Sequence, residues 1–271
     1  MDEAALVRLT EESADAGAAI AERAFREELT IEFKTDKTDV VTETDRAAQQ
    51  AVIDVIEREY PDSTIVGEEK GTAETLPSEG LAWLIDPIDG TANFVRELPS
   101  WTTSVACLVD GEPVAAVNVS PALDDRYVAT ADGMTRNGRS VSVSDRTDPD
   151  TFLAIPTLWW TRDRRREYAE TNRRLTDQFA DIRRIGSAQL ELSAVAAGSV
   201  EGVVSNVVGN PWDTVAGAAM VEWAGGTVTD IHGDRWEPGA RGIVASNGTQ
   251  HELFCEVARA AEASREPAGM E

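Results

Sequence analysis

Within Trp83-Leu84-Ile85-Asp86-Pro87-Ile88-Asp89-Gly90-Thr91-Ala92-Asn93-Phe94 the chain changes character abruptly, and that change constrains the fold more than any other stretch. The apolar run from Leu81 to Ile85 reads as a buried strand. Pro87 biases Asp86 toward extended backbone and has no N–H for a sheet ladder, so the strand is expected to end at Asp86. Asp86 and Asp89 then stand at a strand end, followed at once by Gly90 and Thr91. Gly90 lets the backbone approach a ligand closely, and the N–H groups of the next turn can receive an anion. Carboxylates for hard cations beside donors for phosphate have the composition of a metal-assisted phosphoryl-transfer site.

The rest of the chain supplies further acids at places where elements begin or end. Leu6, Leu9, Ser13, Ala16 and Ile20 predict an amphipathic helix over 4–28. Residues 30–41 are polar and aperiodic, a mobile loop or loose hairpin that carries Lys34 and Lys37. A helix from Glu43 to Glu59 follows, and Thr42-Glu43-Thr44-Asp45 fits a capping box, which alone explains Asp45 as a helix N-terminal charge. A short strand, Ser63 to Val66, leads to Gly67-Glu68-Glu69.

Strands are predicted at Thr102–Val109, Pro113–Val119 and Arg126–Thr130, with hairpin turns at Asp110-Gly111 and Asn137-Gly138. From residue 151 strands alternate with helices: strands at 151–156, Ile182–Ile185 and Val200–Ser205, helices at 163–179 and Ser187–Ala197. Asn210-Pro211-Trp212-Asp213 opens a helix through Trp223, with Asn210 as N-cap and Asp213 in its first turn, so capping is one explanation of Asp213. Short strands at Thr227–Thr229 and Gly242–Ser246 and a helix at Gln250–Ala263 finish the chain. At 271 residues the chain makes one large domain or two packed halves, 1–147 with most of the acids and 148–271 with Asp213.

Charge excludes several functions. The formal net charge is −24, from 25 basic and 49 acidic residues, and only Lys34, Lys37 and Lys70 are lysines. A phosphate-backbone or acidic-membrane partner needs a cationic face, so nucleic acid and membrane are not expected partners. Acid excess with lysine depletion resembles cytoplasmic proteins of salt-accumulating halophiles, which rely on salt screening. With no long apolar run and no basic, apolar leader, a soluble cytoplasmic protein is expected. Cys107 and Cys255 lie in apolar surroundings and read as buried free thiols, and two histidines make a zinc site improbable.

The long stretch Trp83–Phe94 resembles the first signature of the inositol monophosphatase family, and Pro211-Trp212-Asp213-Thr214-Val215-Ala216-Gly217 resembles the second. Gly67-Glu68-Glu69 and Val41-Thr42-Glu43-Thr44-Asp45 match in the family's order, so the likeness runs from Leu6 to about Val257. The resemblance implies an α-β-α-β-α five-layer sandwich and a lithium-sensitive, Mg²⁺-dependent phosphomonoesterase with two or three ions, usually a homodimer. It implies Glu68, Asp86, Asp89, Asp213 and the carbonyl of Ile88 as metal ligands. Glu68 and Thr91 would orient a metal-activated water for in-line attack on phosphorus, with Asp45 bonded to Thr91 and the N–H groups of Gly90 and Thr91 on the phosphate. Asp89 and Asp213 would border the substrate, and Lys34 falls where the family carries a mobile-loop lysine.

Substrate choice rests on departures from the pattern. Asn206 stands where inositol-specific members have a glutamate, and Gln189 replaces a small residue in the substrate-lining turn Gly186-Ser187-Ala188-Gln189. Both amides can still bond hydroxyls, so the expected substrate is a polyol or sugar phosphate, inositol monophosphate or fructose 1,6-bisphosphate. Alternatives are a 3′-phosphoadenosine 5′-phosphate phosphatase, which needs an adenine slot, and a non-catalytic regulatory homologue. The arginines at 162, 164, 165, 166, 173 and 174 read as a solvated helix face paired with nearby acid, or as readers of a second phosphate. Trp159 and Trp160 beside them read as packing or dimer contacts.

Overall fold

A computed structural model describes residues 2–27, 31–33, 40–69, 71–73 and 75–265. Small residues bring the first two helices together. A Cβ at Gly17 of α1 (Glu3–Ala24) would meet Val52 Cγ2 of α2 (Glu43–Glu59) at 2.6 Å. Between them β1 (Ile31–Phe33) and β2 (Val40–Thr42) pair antiparallel, so 30–41 contains a hairpin. Helix α1 stops at Ala24, short of the expected 28, and Phe25 turns in to pack on Phe94 and Trp101 at ring distances of 5.5 and 5.4 Å.

The first sheet follows chain order: β3 (Thr64–Gly67), β4 (Leu81–Asp89), β5 (Thr102–Val109), β6 (Glu112–Ser120), β7 (Asp125–Thr130), β8 (Gly133–Arg136) and β9 (Arg139–Val141). Only the β3–β4 pair is parallel. Both hairpin turns have left-handed backbone at their central residues, φ 52° and 82° at Asp110-Gly111 and 53° and 73° at Asn137-Gly138. That matches the right-handed twist of the flanking strands.

Strand β4 does not end at Asp86. It runs on to Asp89, with Asp86 opposite Ser104 and Asp89 opposite Thr102, so one extra residue is accommodated between them. Pro87 sits inside that bulge, where no ladder N–H is required, and its carbonyl accepts from Thr103 Oγ1 at 2.8 Å. After β4 comes the single turn α3 (Thr91–Phe94).

The second sheet has the order β11-β10-β12-β14-β13. Its strands are β10 (Leu153–Pro156), β11 (Asp181–Ile182), β12 (Gly202–Ser205), β13 (Thr227–Thr229) and β14 (Ile243–Ser246), with β14 antiparallel to its neighbours. Strand β11 is shorter than the expected Ile182–Ile185, because Ile185 and Gly186 donate their N–H groups to Glu191 Oε1 at 3.0 and 2.8 Å instead of to a neighbouring strand.

Four helices complete the chain: α4 (Arg165–Gln178), α5 (Ala188–Ala196), α6 (Pro211–Trp223) and α7 (His251–Ala263). Alternation along β4 shows the layering, since Trp83 and Ile85 pack with Leu6, Leu9 and Ile56 of α1 and α2, while Leu84 faces the other way. Leu84 joins Leu192, Val195 and Met220 of α5 and α6, which also touch Ile155 and Val203 of the second sheet. On the outer face of that sheet Phe152 and Val244 pack with Leu175 of α4 and Phe254 of α7. The order is α-β-α-β-α, as the resemblance implies. Helices α5 and α6, nearly apolar all round, form the middle layer and serve both sheets.

Among the described residues no helix is long and apolar enough to cross a membrane. Cys107 and Cys255 are buried and unpaired, and burial pushes the Cys107 thiol up to about 12.

Candidate active site

Strand pairing brings the first two acids together. Gly67 stands opposite Ile85, and the N–H of Glu68 donates to Ile85 O at 3.2 Å, which sets Glu68 beside Asp86. Gln49 of α2 fixes this turn by accepting from Glu69 N at 2.9 Å, and a Cβ at Gly67 would meet Gln49 Oε1 at 2.6 Å. Asp86 is buried and its Oδ1 has no partner. Burial, then the charges of Glu68, Asp89 and Asp213, raise Asp86 well above the carboxylate range.

The bulge at Pro87 aims Asp89 across the seam toward α5. Its carboxylate accepts from Ser187 Oγ at 2.6 Å, Gln189 N at 2.6 Å and Ala188 N at 3.2 Å, so Asp89 caps a helix of the other half. Burial still outweighs these donors and holds Asp89 at about 6. Asp213, at N3 of α6, accepts from Asn210 N and Nδ2 at 3.2 and 3.0 Å, so the expected N-cap Asn210 and Asp213 are bonded to each other. Burial and the charges of Glu68 and Asp89 raise it to about 8.

Asp45 does two jobs at once. Its Oδ2 closes the capping box on Thr42 N and Oγ1 at 2.8 and 2.6 Å, while Oδ1 accepts from Thr91 Oγ1 at 3.3 Å. Burial raises Asp45 to about 6. The Thr91 hydroxyl also reaches Ile88 O at 2.9 Å. Gly90, with φ 95°, cannot be replaced without strain, because a Cβ would lie 3.0 Å from Ser100 O and 3.2 Å from Ser187 Cβ.

A cavity of about 150 Å³ opens on this arrangement, walled by Asp89, Asp213, Leu158, Trp159, Arg184 and Glu191. The acids meet the needs of a divalent ion in two respects. Their donors are all oxygen, and four mutually repelling carboxyls with an orphaned Asp86 Oδ1 need a compensating cation. Ile88 O, though bonded to Thr91, keeps a second lone pair. Among the described residues no three His, Cys, Asp or Glu side chains converge at ligand spacing. Asp89 and Asp213 have turned their oxygens onto N–H donors, which a cation would have to compete with.

Two substrate expectations do not survive the geometry. Gln189 is fully buried, and its amide ties α5 to α6 by donating to Trp212 O at 2.6 Å and accepting from Gly217 N at 2.8 Å. Its side chain therefore holds the middle layer together and, fully buried, does not line the cavity. Replacing Gln189 by Leu deletes both hydrogen bonds of this buried amide between α5 and α6 and should cost about 2 kcal/mol in chemical denaturation. A loss below about 1 kcal/mol would contradict that role.

Asn206 is buried likewise, accepting from Trp160 Nε1 at 2.8 Å and donating to Glu167 and Glu262. Lys34 lies outside the described residues. In the arginine segment Arg173 and Arg174 pair with Glu170, as a solvated face would, whereas Arg164 turns inward onto the buried Glu167.

Glu191, Arg184 and Trp159 line the cavity without having been picked out as site residues by the sequence, whereas Ser187 belongs to the turn expected to line the substrate. One signal was available for Glu191. A glutamate between Leu190 and Leu192 in a mostly apolar helix needs a reason, and here it is buried with Oε2 unpartnered.

The sequence profile of the inositol monophosphatase family matches residues 2–263. Nus factor SuhB of Escherichia coli strain K12 is 37% identical over 211 residues, spanning 77% of this chain and 78% of that protein. A fructose-1,6-bisphosphatase/inositol-1-monophosphatase of Thermotoga maritima is 35% identical over 228 residues, 84% of this chain and 85% of that one. The solved structure of a Thermotoga maritima IMPase superposes with a TM-score of 0.85 at 31% identity, covering 98% of this chain and 100% of that chain.

Proposed function

The chain belongs to the inositol monophosphatase family, and from that premise we propose that it is a Mg²⁺-dependent phosphomonoesterase of sugar or polyol phosphates. One observation carries the reading: three separate segments deliver Glu68, Asp86, Asp89 and Asp213 to one place, where the charges of Glu68 and Asp89 raise the proton affinity of the buried Asp86 and of Asp213. In this reading Glu68, Asp86, Asp89, Asp213 and Ile88 O hold the metal. When bound, Mg²⁺ supplies the positive charge that neutralises phosphoryl oxygens and acidifies the attacking water.

The remaining roles follow from the chain's own hydrogen bonds. The single proton of Thr91 Oγ1 is directed at Asp45 Oδ1 and Ile88 O, which leaves its lone pairs free to accept from the attacking water. Asp45, in the first turn of α2 and bonded to its N-cap Thr42, fixes that orientation. Glu68 accepts the water's second proton contact, and the N–H groups of Gly90 and Thr91 hold the phosphate. The Thermotoga relative's name supports inositol phosphate and fructose 1,6-bisphosphate as substrates. The match to a protein named as a Nus factor supports a second reading, a regulatory protein that keeps the fold.

A panel of myo-inositol 1-phosphate, fructose 1,6-bisphosphate and 3′-phosphoadenosine 5′-phosphate, assayed with Mg²⁺ in molar KCl, separates the readings. Phosphate release from at least one ester is expected. No turnover of any would leave the regulatory reading standing.

A further inference from the structure

Asp89 is held with its two oxygens in unequal states. Its Oδ2 takes the single proton of Ser187 Oγ at 2.6 Å and the N–H of Gln189 at 2.6 Å, which uses both lone pairs of that oxygen. Among the described residues Oδ1 accepts only from Ala188 N, at 3.2 Å, which leaves it one lone pair. Ser187 is itself fixed as the N-cap of α5, where its Oγ also accepts from Leu190 N at 3.3 Å. One oxygen of Asp89 is therefore filled, and the other stays open on one side.

This state depends on a turn that lies outside α5. Asp89 and Ser187 are 98 residues apart, so their register is set by whatever fixes Ile185-Gly186, the turn that delivers Ser187. The turn is gripped from two directions. Asn93, in the turn just after Asp89, donates from Nδ2 to Ile185 O at 2.8 Å and to Gly186 O at 3.4 Å. Glu191 takes the other side, with Oε1 accepting from Ile185 N at 3.0 Å and from Gly186 N at 2.8 Å. Gly186 has φ 84°, and a Cβ there would lie 3.3 Å from Asn93 Nδ2, so the grip leaves little slack. Glu191 is fully buried with Oε2 unpartnered, a costly way to hold two N–H groups unless their placement matters.

We propose that Glu191 is a positioning residue for the metal site, which fixes the Ile185-Gly186 turn, keeps Asp89 a one-oxygen ligand and so favours Mg²⁺ over Ca²⁺. This inference rests on the reading above in which Asp89 holds the metal. Mg²⁺ demands near-ideal octahedral geometry and few carboxylates, whereas Ca²⁺ accepts carboxylates through one oxygen or two in flexible geometry. A clamp that withdraws Oδ2 suits the smaller ion and gives the larger one nothing. Groups that orient metal ligands typically govern 10- to 100-fold in affinity, roughly the size of effect expected here.

Calorimetric titration of Mg²⁺ and of Ca²⁺ into the metal-free protein, in molar KCl and without substrate, tests the role without requiring turnover. In Glu191→Ala the Mg²⁺ affinity should fall about tenfold, while the Ca²⁺ affinity changes less than about threefold. Glu191→Gln keeps a carbonyl oxygen that can accept from both N–H groups, so both affinities should stay within about twofold of native. Equal losses for the two ions in Glu191→Ala are what general loosening of the protein would produce, and they overturn the proposal. A loss in Glu191→Gln as large as that in Glu191→Ala overturns it too, because charge rather than the grip on the turn would then be responsible.

Should Glu191→Ala not fold, Asn93→Ala releases the same turn from its other side. The same fall in the Mg²⁺-to-Ca²⁺ affinity ratio is expected there, and an unchanged ratio overturns the proposal. The phosphatase reading fails separately. Native protein with a Glu191-dependent ratio that hydrolyses no ester of the panel upholds the positioning role and overturns that reading. Ester turnover with a ratio indifferent to Glu191 does the reverse, and native protein that binds neither ion overturns both.

Discussion

Asp89→Asn should lower phosphatase turnover by about 10³-fold or more, while the thermal transition stays within a few degrees of the native protein. The two halves of that result have separate causes. Asparagine keeps one carbonyl oxygen, which can accept from Ser187 Oγ and Gln189 N as Asp89 does at 2.6 Å each. Its Nδ2 then meets the N–H of Ala188, a lost hydrogen bond at 3.2 Å worth about 1 kcal/mol. Removing a buried negative charge compensates, since Asp89 raises both Asp86 and Asp213 in the metal-free protein. Catalysis has no such compensation, because an amide cannot replace an anionic ligand to a hard cation. Rates with saturating Mg²⁺ and a circular-dichroism melt decide the matter. Turnover within tenfold of native would remove Asp89 from the ligand set.

The second large effect is a reversal of pH dependence by Mg²⁺. Asp45 and Asp89 are held at about 6 and Asp213 at about 8, against roughly 3.9 for an unfolded aspartate, and Asp86 is shifted the same way. With folded pKa above unfolded pKa, the native state binds more protons between those values. The stabilisation is present in full below about pH 4 and is lost as pH rises through 6 and then 8. A single carboxyl at about 6 contributes on the order of 3 kcal/mol to that loss. In EDTA and constant molar KCl the melting temperature should therefore fall by on the order of 10 °C between pH 5 and pH 8. Mg²⁺ binds the deprotonated carboxylates, so its stabilising effect should be small at pH 5 and large at pH 8. A metal-free melting temperature that is flat or rising across this range would show that the cluster does not hold its protons.

Much of the fold could be read because its signals are local. The capping box at Thr42–Asp45, the N-cap at Asn210 and the turns at Asp110-Gly111 and Asn137-Gly138 need only neighbouring residues, and all four stand as read. Pro87 misled for the same reason. Its local preference is to end a strand, but the ladder to β5 lies on both sides of it and the missing N–H falls in a bulge. Likewise the roles of Gln189 and Asn206 depended on partners far along the chain. Gln189 bonds Gly217 at a separation of 28 residues, and Asn206 bonds Glu262 at 56. An amide's chemistry is legible from its letter, but which acceptor it reaches is set by packing. The Asp89 cap on α5 escaped notice for that reason too, since Ser187 lies 98 residues away.

The middle layer has a consequence for how such a molecule can change over generations. Helices α5 and α6 carry the Asp89 clamp, Asp213 and the Gln189 tie, and they also fill the space between both sheets. A substitution there that alters the reaction alters cohesion as well, so the chemistry at phosphorus is protected from drift by the stability of the whole body. The segment around Trp159 borders the same cavity but lies at the rim, where a new side chain disturbs little else. Novelty in what is dephosphorylated can accumulate at that rim, one exposed residue at a time, without endangering the machinery it serves.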